Sequence, residues 1–318
     1  MIYFNEYSFS DKYELGKELL DFSLPYREEL LFPLDVTFGF EIEFFNGKYS
    51  QLRDEFYERE LFDWKVCYEP TVSYYDSFNN IIGGEVVSPI LTLEDNNFYR
   101  LKEVCELIKF CFGEVNDFTA GHIHIGSQVF NDKYALNKFL IIWSVFEDVI
   151  KRFFAGEFLN IEENSKYATL CSSLFLDMDC DIDNILNYKK DLGKKFKSQA
   201  VSFYYFDSFI RKEKNTIEFR DIKGSLEVEV LQNNINFLIH LIEWCKKLDD
   251  KDIYDIKNRF CFNNFSNSYD EINFEKALFL SDNVFCSSFD KMCFLKQYFK
   301  DFYLYDGEIK KVGLVRKK

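Results

Sequence analysis

Two hydrophobic periods divide the chain. Strand-like patterns, in which successive side chains point to opposite faces, run through residues 36–45, 81–87, 121–130, 201–206 and 216–221, with a shorter one at 64–68. The segment 81–87 stops at Ser88-Pro89, because proline cannot donate to a ladder and restricts the residue before it. Helical spacing fills much of the remainder. Leu101, Val104, Cys105, Ile108 and Cys111 predict an amphipathic helix over 95–112 that Gly113 closes. A long helix is expected from a cap at Asn131 to about Ala155, with Gly156 just beyond its end. Another, capped by Ser225, carries the stripe Leu231, Ile235, Leu238, Ile242 and Cys245. Short helices are expected near 273–280 and 288–303, while 157–200 reads as irregular. No repeat and no Gly/Ser/Pro linker divides the chain.

Applied to three of these strands, alternation groups ionisable residues. In FGFEIEF, Glu41 and Glu43 share one face and Phe40, Ile42 and Phe44 the other. In GHIHIG, His122 and His124 oppose Ile123 and Ile125; in NTIEFRDIKG, Glu218 and Arg220 oppose Ile217 and Phe219. Taken alone, Glu41/Glu43 reads as a solvated strand face and Glu218/Arg220 as a surface ion pair, whereas His122/His124, two of only three histidines, points to a ligand or catalytic role. Three in one sheet would place carboxylates, imidazoles and an arginine on a single surface, and crowded carboxylates call for a counter-cation. Oxygen-rich ligand sets suit Mg²⁺ or Mn²⁺, and imidazole leans towards Mn²⁺. Arg220 suits a phosphate or carboxylate. Glu85, between Gly84 and Val86 ahead of Ser-Pro, is either an edge-strand charge or a further member. His240 reads as packing.

Charge and composition narrow the classes. The formal charge of −15 over 318 residues argues against gripping nucleic acid by bulk electrostatics. No run reaches the roughly 18 apolar residues of a membrane span, and the first residues carry neither a basic nor an apolar signal region, so a cytoplasmic protein is expected. Nine cysteines stand singly with no CxxC, which fits buried thiols in a reducing compartment rather than a zinc ribbon. The acidic alternation Asp177, Asp179, Asp181 and Asp183 is not an EF-hand, because Ile182 and Tyr188 occupy the glycine and glutamate positions. The lysines 189–197 lack the upstream glycine of a Walker loop and read as a solvated loop.

Taken in order, these segments resemble the amidoligase family of the carboxylate–amine ligase superfamily, which has the glutamine synthetase fold and is distantly similar to gamma-glutamylcysteine ligases. TFGFEIEF (37–44) is similar to the family's opening G-x-E-x-E strand, and WKVCYEPTV (64–72) to its W-x-V…D-G-S-V segment. GGEVVSPIL (83–91) resembles E-[LVI]-V-S-P, AGHIHIG (120–126) resembles C-G-x-H-V-H, and NTIEFRDIKGSLEVE (215–229) resembles T-x-E-F-R…G-T. The resemblance implies an α+β fold: a curved, mostly antiparallel sheet with helices on its outer face and a small helical C-terminal extension. It implies a lead-in over 1–35, a ligase domain over 36–248 and an extension over 249–318 packed on that domain.

The resemblance also implies roles. Glu41, Glu43, Glu85, His122 and Glu218 would hold Mg²⁺ or Mn²⁺; His124, Arg220 and Lys223 would meet ATP; Arg220, Glu218 and Glu69 would act on the substrates. The implied reaction is ATP-dependent formation of an amide or isopeptide bond through an acyl phosphate, on a glutamate-like carboxylate with an amine acceptor. Neither nucleic acid nor membrane is an expected partner. Departures bear on the acceptor. Glu69 replaces the family aspartate with Pro70 in place of glycine, and Lys166 stands near a missing arginine. A catalytically lapsed nucleotide- and metal-binding protein of the same fold is the competing reading. A metal-dependent cupin-like enzyme built on His122 and His124 is weaker, since Gln128 occupies its glutamate position and the paired acids go unused.

Overall fold

Strand β1, Phe38–Lys48, organises the molecule because its two faces differ in chemistry. Phe38, Phe40, Ile42 and Phe44 are all fully buried, whereas Gly39, Glu41 and Phe45 on the other face are half-buried. The computed structural model describes residues 8–33, 35–93, 97–158, 170–171, 199–210, 215–260, 270–300 and 313–315. Six further strands are described: β2 Lys65–Cys67, β3 Tyr74–Tyr75, β4 Ile81–Val87, β5 Gly121–Gly126, β6 Val201–Ser202 and β7 Thr216–Phe219. They form one open sheet in the order β2-β4-β1-β5-β7-β6, with β3 also on β4, and every pairing is antiparallel. Gly83 in β4 has φ +77°, and a Cβ there would lie 2.5 Å from the Val72 carbonyl oxygen. Only glycine tolerates that turn of the backbone, which sets the position of Glu85.

Helices cover the apolar face. The described ones are α1 Lys12–Leu20, α2 Tyr49–Glu58, α3 Asn97–Phe110, α4 Lys133–Phe154, α5 Val228–Lys247, α6 Asp250–Phe260, α7 Glu271–Val284 and α8 Ser288–Tyr298. Phe38 stacks on Phe98 of α3 with ring centroids 5.9 Å apart. Phe219 of β7 meets Phe139 and Trp143 of α4 at 5.9 and 5.4 Å. A second helical layer follows: Phe153 of α4 lies 4.9 Å from Phe237 of α5 and 5.0 Å from Phe294 of α8. Phe146 contacts Phe260 of α6 at 5.2 Å, so helices beyond residue 249 share the core of α4. The architecture is α+β. No described helix is long and apolar enough to cross a membrane.

Several element ends differ from the sequence reading, each for a local reason. The 121–130 segment is a strand only to Gly126 and then a 3₁₀ turn, Ser127–Phe130. Ser127 leaves the ladder because its N–H donates to the Asn215 carbonyl and its hydroxyl to the Ser208 carbonyl. Asp132, rather than Asn131, caps α4, its carboxylate accepting from Ala135 N at 2.9 Å. Asn131 precedes it at φ 60°. Gly156, at φ +55°, ends that helix region as expected. Ser225 accepts from Glu227 N and donates to Glu157, so it shapes the turn before α5 without capping it. The 201–206 and 216–221 runs shorten to two and four residues. Helices α1, α2 and α6 have short apolar stripes within charged sequence: α2 buries only Leu52 and Phe56, spaced i, i+4. His240 packs on the Phe285 ring at 5.4 Å.

Because Phe219 is fully buried directly beside the site face, Phe219→Ala should cost about 3–5 kcal/mol in chemical denaturation. Phe219→Leu should cost clearly less; equal losses would contradict the packing described.

Candidate active site

Strand register gathers the ionisable residues. Cross-strand partners in an antiparallel pair project to the same side. Glu41 faces His122 and Gly39 faces His124 across β1 and β5; Glu43 faces Glu85 across β1 and β4. His124 faces Glu218, Glu218 faces Ser202, and Glu85 faces Cys67. One sheet face therefore carries four carboxylates and both imidazoles, opposite the face under α3 and α4.

Glu41 stands at the centre. Its Oε2 lies 2.8 Å from His122 Nδ1 and its Oε1 3.0 Å from His124 Nε2. His122 Nδ1 is also 3.7 Å from Glu218 Oε1, and His124 Nδ1 is 3.2 Å from the Thr216 hydroxyl. Glu218 is 1% exposed; its Oε1 takes a very short bond from an Arg220 guanidinium nitrogen, while Oε2 is buried with no hydrogen-bond partner among the described residues. Two groups of ligand atoms lie within 4.8 Å of one another: Glu41, Glu85 and His122, and Glu41, His124 and Glu218. They share Glu41. Glu43 belongs to neither group. Its Oε2 accepts from Ala120 N at 2.8 Å, beside the bond from Glu43 N to the Ala120 carbonyl.

Electrostatics mark the same face. Burial, compounded by repulsion from Glu41, Glu43, Glu69 and Glu218, pushes the Glu85 carboxyl up to about 8. Burial also raises Glu43, in spite of the Ala120 hydrogen bond. For Glu41 burial acts upwards too, but the hydrogen bonds from His122 and His124 overcome it and hold the carboxyl far below the usual range. Burial opposes the charge on His124, and the Glu41 bond outweighs it, raising that imidazole. An unpaired buried oxygen on Glu218 and a repelled carboxyl at Glu85 are the environment that a bound divalent cation relieves, so this oxygen and imidazole set fits Mg²⁺ or Mn²⁺.

The other expected residues lie at the margin. Arg220 adjoins Glu218 and its backbone N–H donates to the Ala200 carbonyl. Glu69 sits in the turn before β3, where its Oε1 accepts from the Thr71 N–H and hydroxyl; it acts on Glu43 and Glu85 through its charge. Lys223 turns away, its Nζ donating to the Asp117 carbonyl at 2.6 Å. Lys166, the aspartates 177–183 and the lysines 189–197 lie outside the described residues.

Three neighbours were overlooked in the sequence. Thr216 extends the Glu218/Arg220 alternation by one step and was legible there. Cys67 is found only through the β2–β4 register. Tyr205, whose ring centre is 5.9 Å from that of His124, falls in the 201–206 run expected as a strand but lies in the turn that follows the shortened β6. Tyr205, Thr216, His124 and Glu41, with Thr37 and Lys65, line a cavity of about 610 Å³ beside the imidazoles.

An open antiparallel sheet with helices on one face and clustered acids and imidazoles on the other defines an α+β protein whose sheet surface could hold a metal ion. The model of the family described as "putative amidoligase enzyme" matches residues 34–242, more than half of the chain, and the chain belongs to that family. It is an amide-bond-forming ligase by that membership. None of the curated proteins compared with it matches the chain.

Mn²⁺ titrations across pH 6–9 follow from the proton that Glu85 holds up to about pH 8. A cation must displace it, so apparent affinity should rise with pH, by up to about tenfold per unit, and level off above 8. Glu85→Gln should reduce that rise, leaving the part that comes from the raised His124 imidazole. An affinity independent of pH in the unaltered protein would contradict this picture of Glu85.

Proposed function

We propose that the protein is an ATP- and Mg²⁺- or Mn²⁺-dependent carboxylate–amine ligase that makes an amide or isopeptide bond on a glutamate-like carboxylate, in the cytoplasm. The observation that carries the reading is the sharing of Glu41 by two ligand groups, with Glu85 and His122 on one side and His124 and Glu218 on the other. Divalent ions bound there would neutralise phosphate oxygens during phosphoryl transfer.

The chemistry needs two displacements. A carboxylate oxygen of the donor bonds to the γ-phosphorus of ATP as the bridging P–O bond breaks and ADP leaves. The amine nitrogen then bonds to the carbonyl carbon of the resulting acyl phosphate, the C–O bond breaks, inorganic phosphate leaves and the nitrogen gives up its surplus protons. Arg220, oriented by Glu218, supplies a fixed cation for the transferred phosphoryl or the donor carboxylate. His124 is held from both ring nitrogens by Glu41 and Thr216, which fixes its orientation. Glu43, anchored to Ala120, would complete the cation's ligands, and Glu69 would act on the substrates. Lys223 reaches a nucleotide only by leaving the Asp117 carbonyl.

Release of ADP and phosphate, measured over a panel of amines with a glutamate-like donor, tests the proposal. Turnover should require amine and divalent cation together, and Glu41→Gln and His122→Ala should each lower it at least about 100-fold. Nucleotide binding without turnover across the panel would instead establish a catalytically lapsed nucleotide- and metal-binding protein.

A further inference from the structure

The site face does not end at Glu43. Two residues on, by strand alternation, β1 presents Phe45 on the same side. Phe45 is bridged to Glu114 by a pair of backbone hydrogen bonds, Phe45 N to Glu114 O at 2.7 Å and Glu114 N to Phe45 O at 2.8 Å. Bridge partners share a face, so the exposed Glu114 projects from the same side as Phe45. From the other flank Tyr74 of β3 brings its ring to 5.9 Å from Phe45, and its hydroxyl donates to Asn46 Oδ1 at 3.2 Å. Tyr74 is 43% exposed. Part of the Tyr74 ring is therefore open to solvent beside the half-buried Phe45.

Carboxylates flank these rings. Glu43 precedes Phe45 on the same face, Glu114 is its bridge partner, and Glu69 lies close enough to act on Glu43 and Glu85. Glu69 Oε1 is used by Thr71, while its Oε2 has no hydrogen bond among the described residues. Lys48, further along β1, directs its ammonium over the Phe112 ring at 5.8 Å. Aromatic faces framed by carboxylates are complementary to an alkylammonium, which they hold by cation–π attraction and ion pairing together. An anionic or neutral acceptor would gain nothing from the carboxylates.

We propose that Phe45, Tyr74, Glu69 and Glu114 form the subsite that receives the amine substrate as a primary alkylammonium, at the end of the site face beyond Glu43. This rests on the ligase reading for the name of the substrate, but the binding event stands apart from turnover. The alkyl stem lies against the two rings and the ammonium among the carboxylates. A free diamine and a lysine side chain share this chemistry.

Calorimetric titration of the full chain with Mg²⁺ present separates the cases. 1,5-Diaminopentane and Nα-acetyl-lysine methylamide should bind, the tighter of the two identifying the source, while pentane-1,5-diol of the same length should not. Tyr74→Leu and Glu114→Gln, both at exposed positions, should each weaken ammonium binding about tenfold, with melting curves unchanged. Equal binding of diol and diamine, ammonium binding untouched by both substitutions, or no ammonium binding at all would overturn the subsite. If the diamine binds as described and no amine supports ADP release, the subsite stands and the ligase reading fails. If turnover proceeds only with neutral or anionic amines, the ligase reading stands and the subsite falls.

Discussion

Carboxylates crowded on one side of a sheet repel one another and resist burial, and this is the constraint to which the rest of the molecule answers. Glu41, Glu43, Glu85 and Glu218 occupy neighbouring register positions, which no packing of apolar side chains makes favourable. The fold supplies partial relief internally. Two imidazoles bracket Glu41, Arg220 closes on Glu218, and a backbone N–H holds Glu43. The relief is incomplete: Glu85 has gathered repulsion without a cation, and one oxygen of Glu218 is buried without a partner among the described residues. What remains unsatisfied is what a divalent ion would relieve under the proposed function.

Such a face survives because the other face of the same strands is strongly apolar. Phe40, Ile42, Phe44, Ile123, Ile125, Ile217 and Phe219 alternate with the ionisable residues and are each at most 1% exposed. A one-residue slip in register would bury the carboxylates under α4 and expose the phenylalanines, so the hydrophobic layer fixes which residues meet. The aromatic stack that runs from Phe219 through Trp143 to Phe154 ties that register to the helical layers. Packing and chemistry are thus two readings of one alternation.

That alternation is also why so much of the site was legible. FGFEIEF, GHIHIG and NTIEFRD each state their two faces outright, and three like-sided pairs sufficed to expect convergence before any register was known. Glu85 was harder, because IIGGEVV does not alternate and its placement depends on the left-handed Gly83. What alternation cannot convey is the path of irregular backbone. Tyr205 arrives from a turn, Glu69 is drawn to Thr71 by a local hydrogen bond, and Lys223 is taken by the Asp117 carbonyl. Caps failed by similar margins, since Asn131 and Ser225 have the right side chains at positions where the backbone had other uses. The family match covers residues 34–242, which include all seven described strands.

The central claim is that the shared Glu41 makes this face a divalent-cation centre. Anomalous diffraction from crystals grown with Mn²⁺ and a non-hydrolysable ATP analogue tests it most directly. The account predicts anomalous density against Glu41, with peaks towards Glu85 and His122 and towards His124 and Glu218. Ordered nucleotide with no anomalous density on this face, or manganese bound only elsewhere, would contradict it.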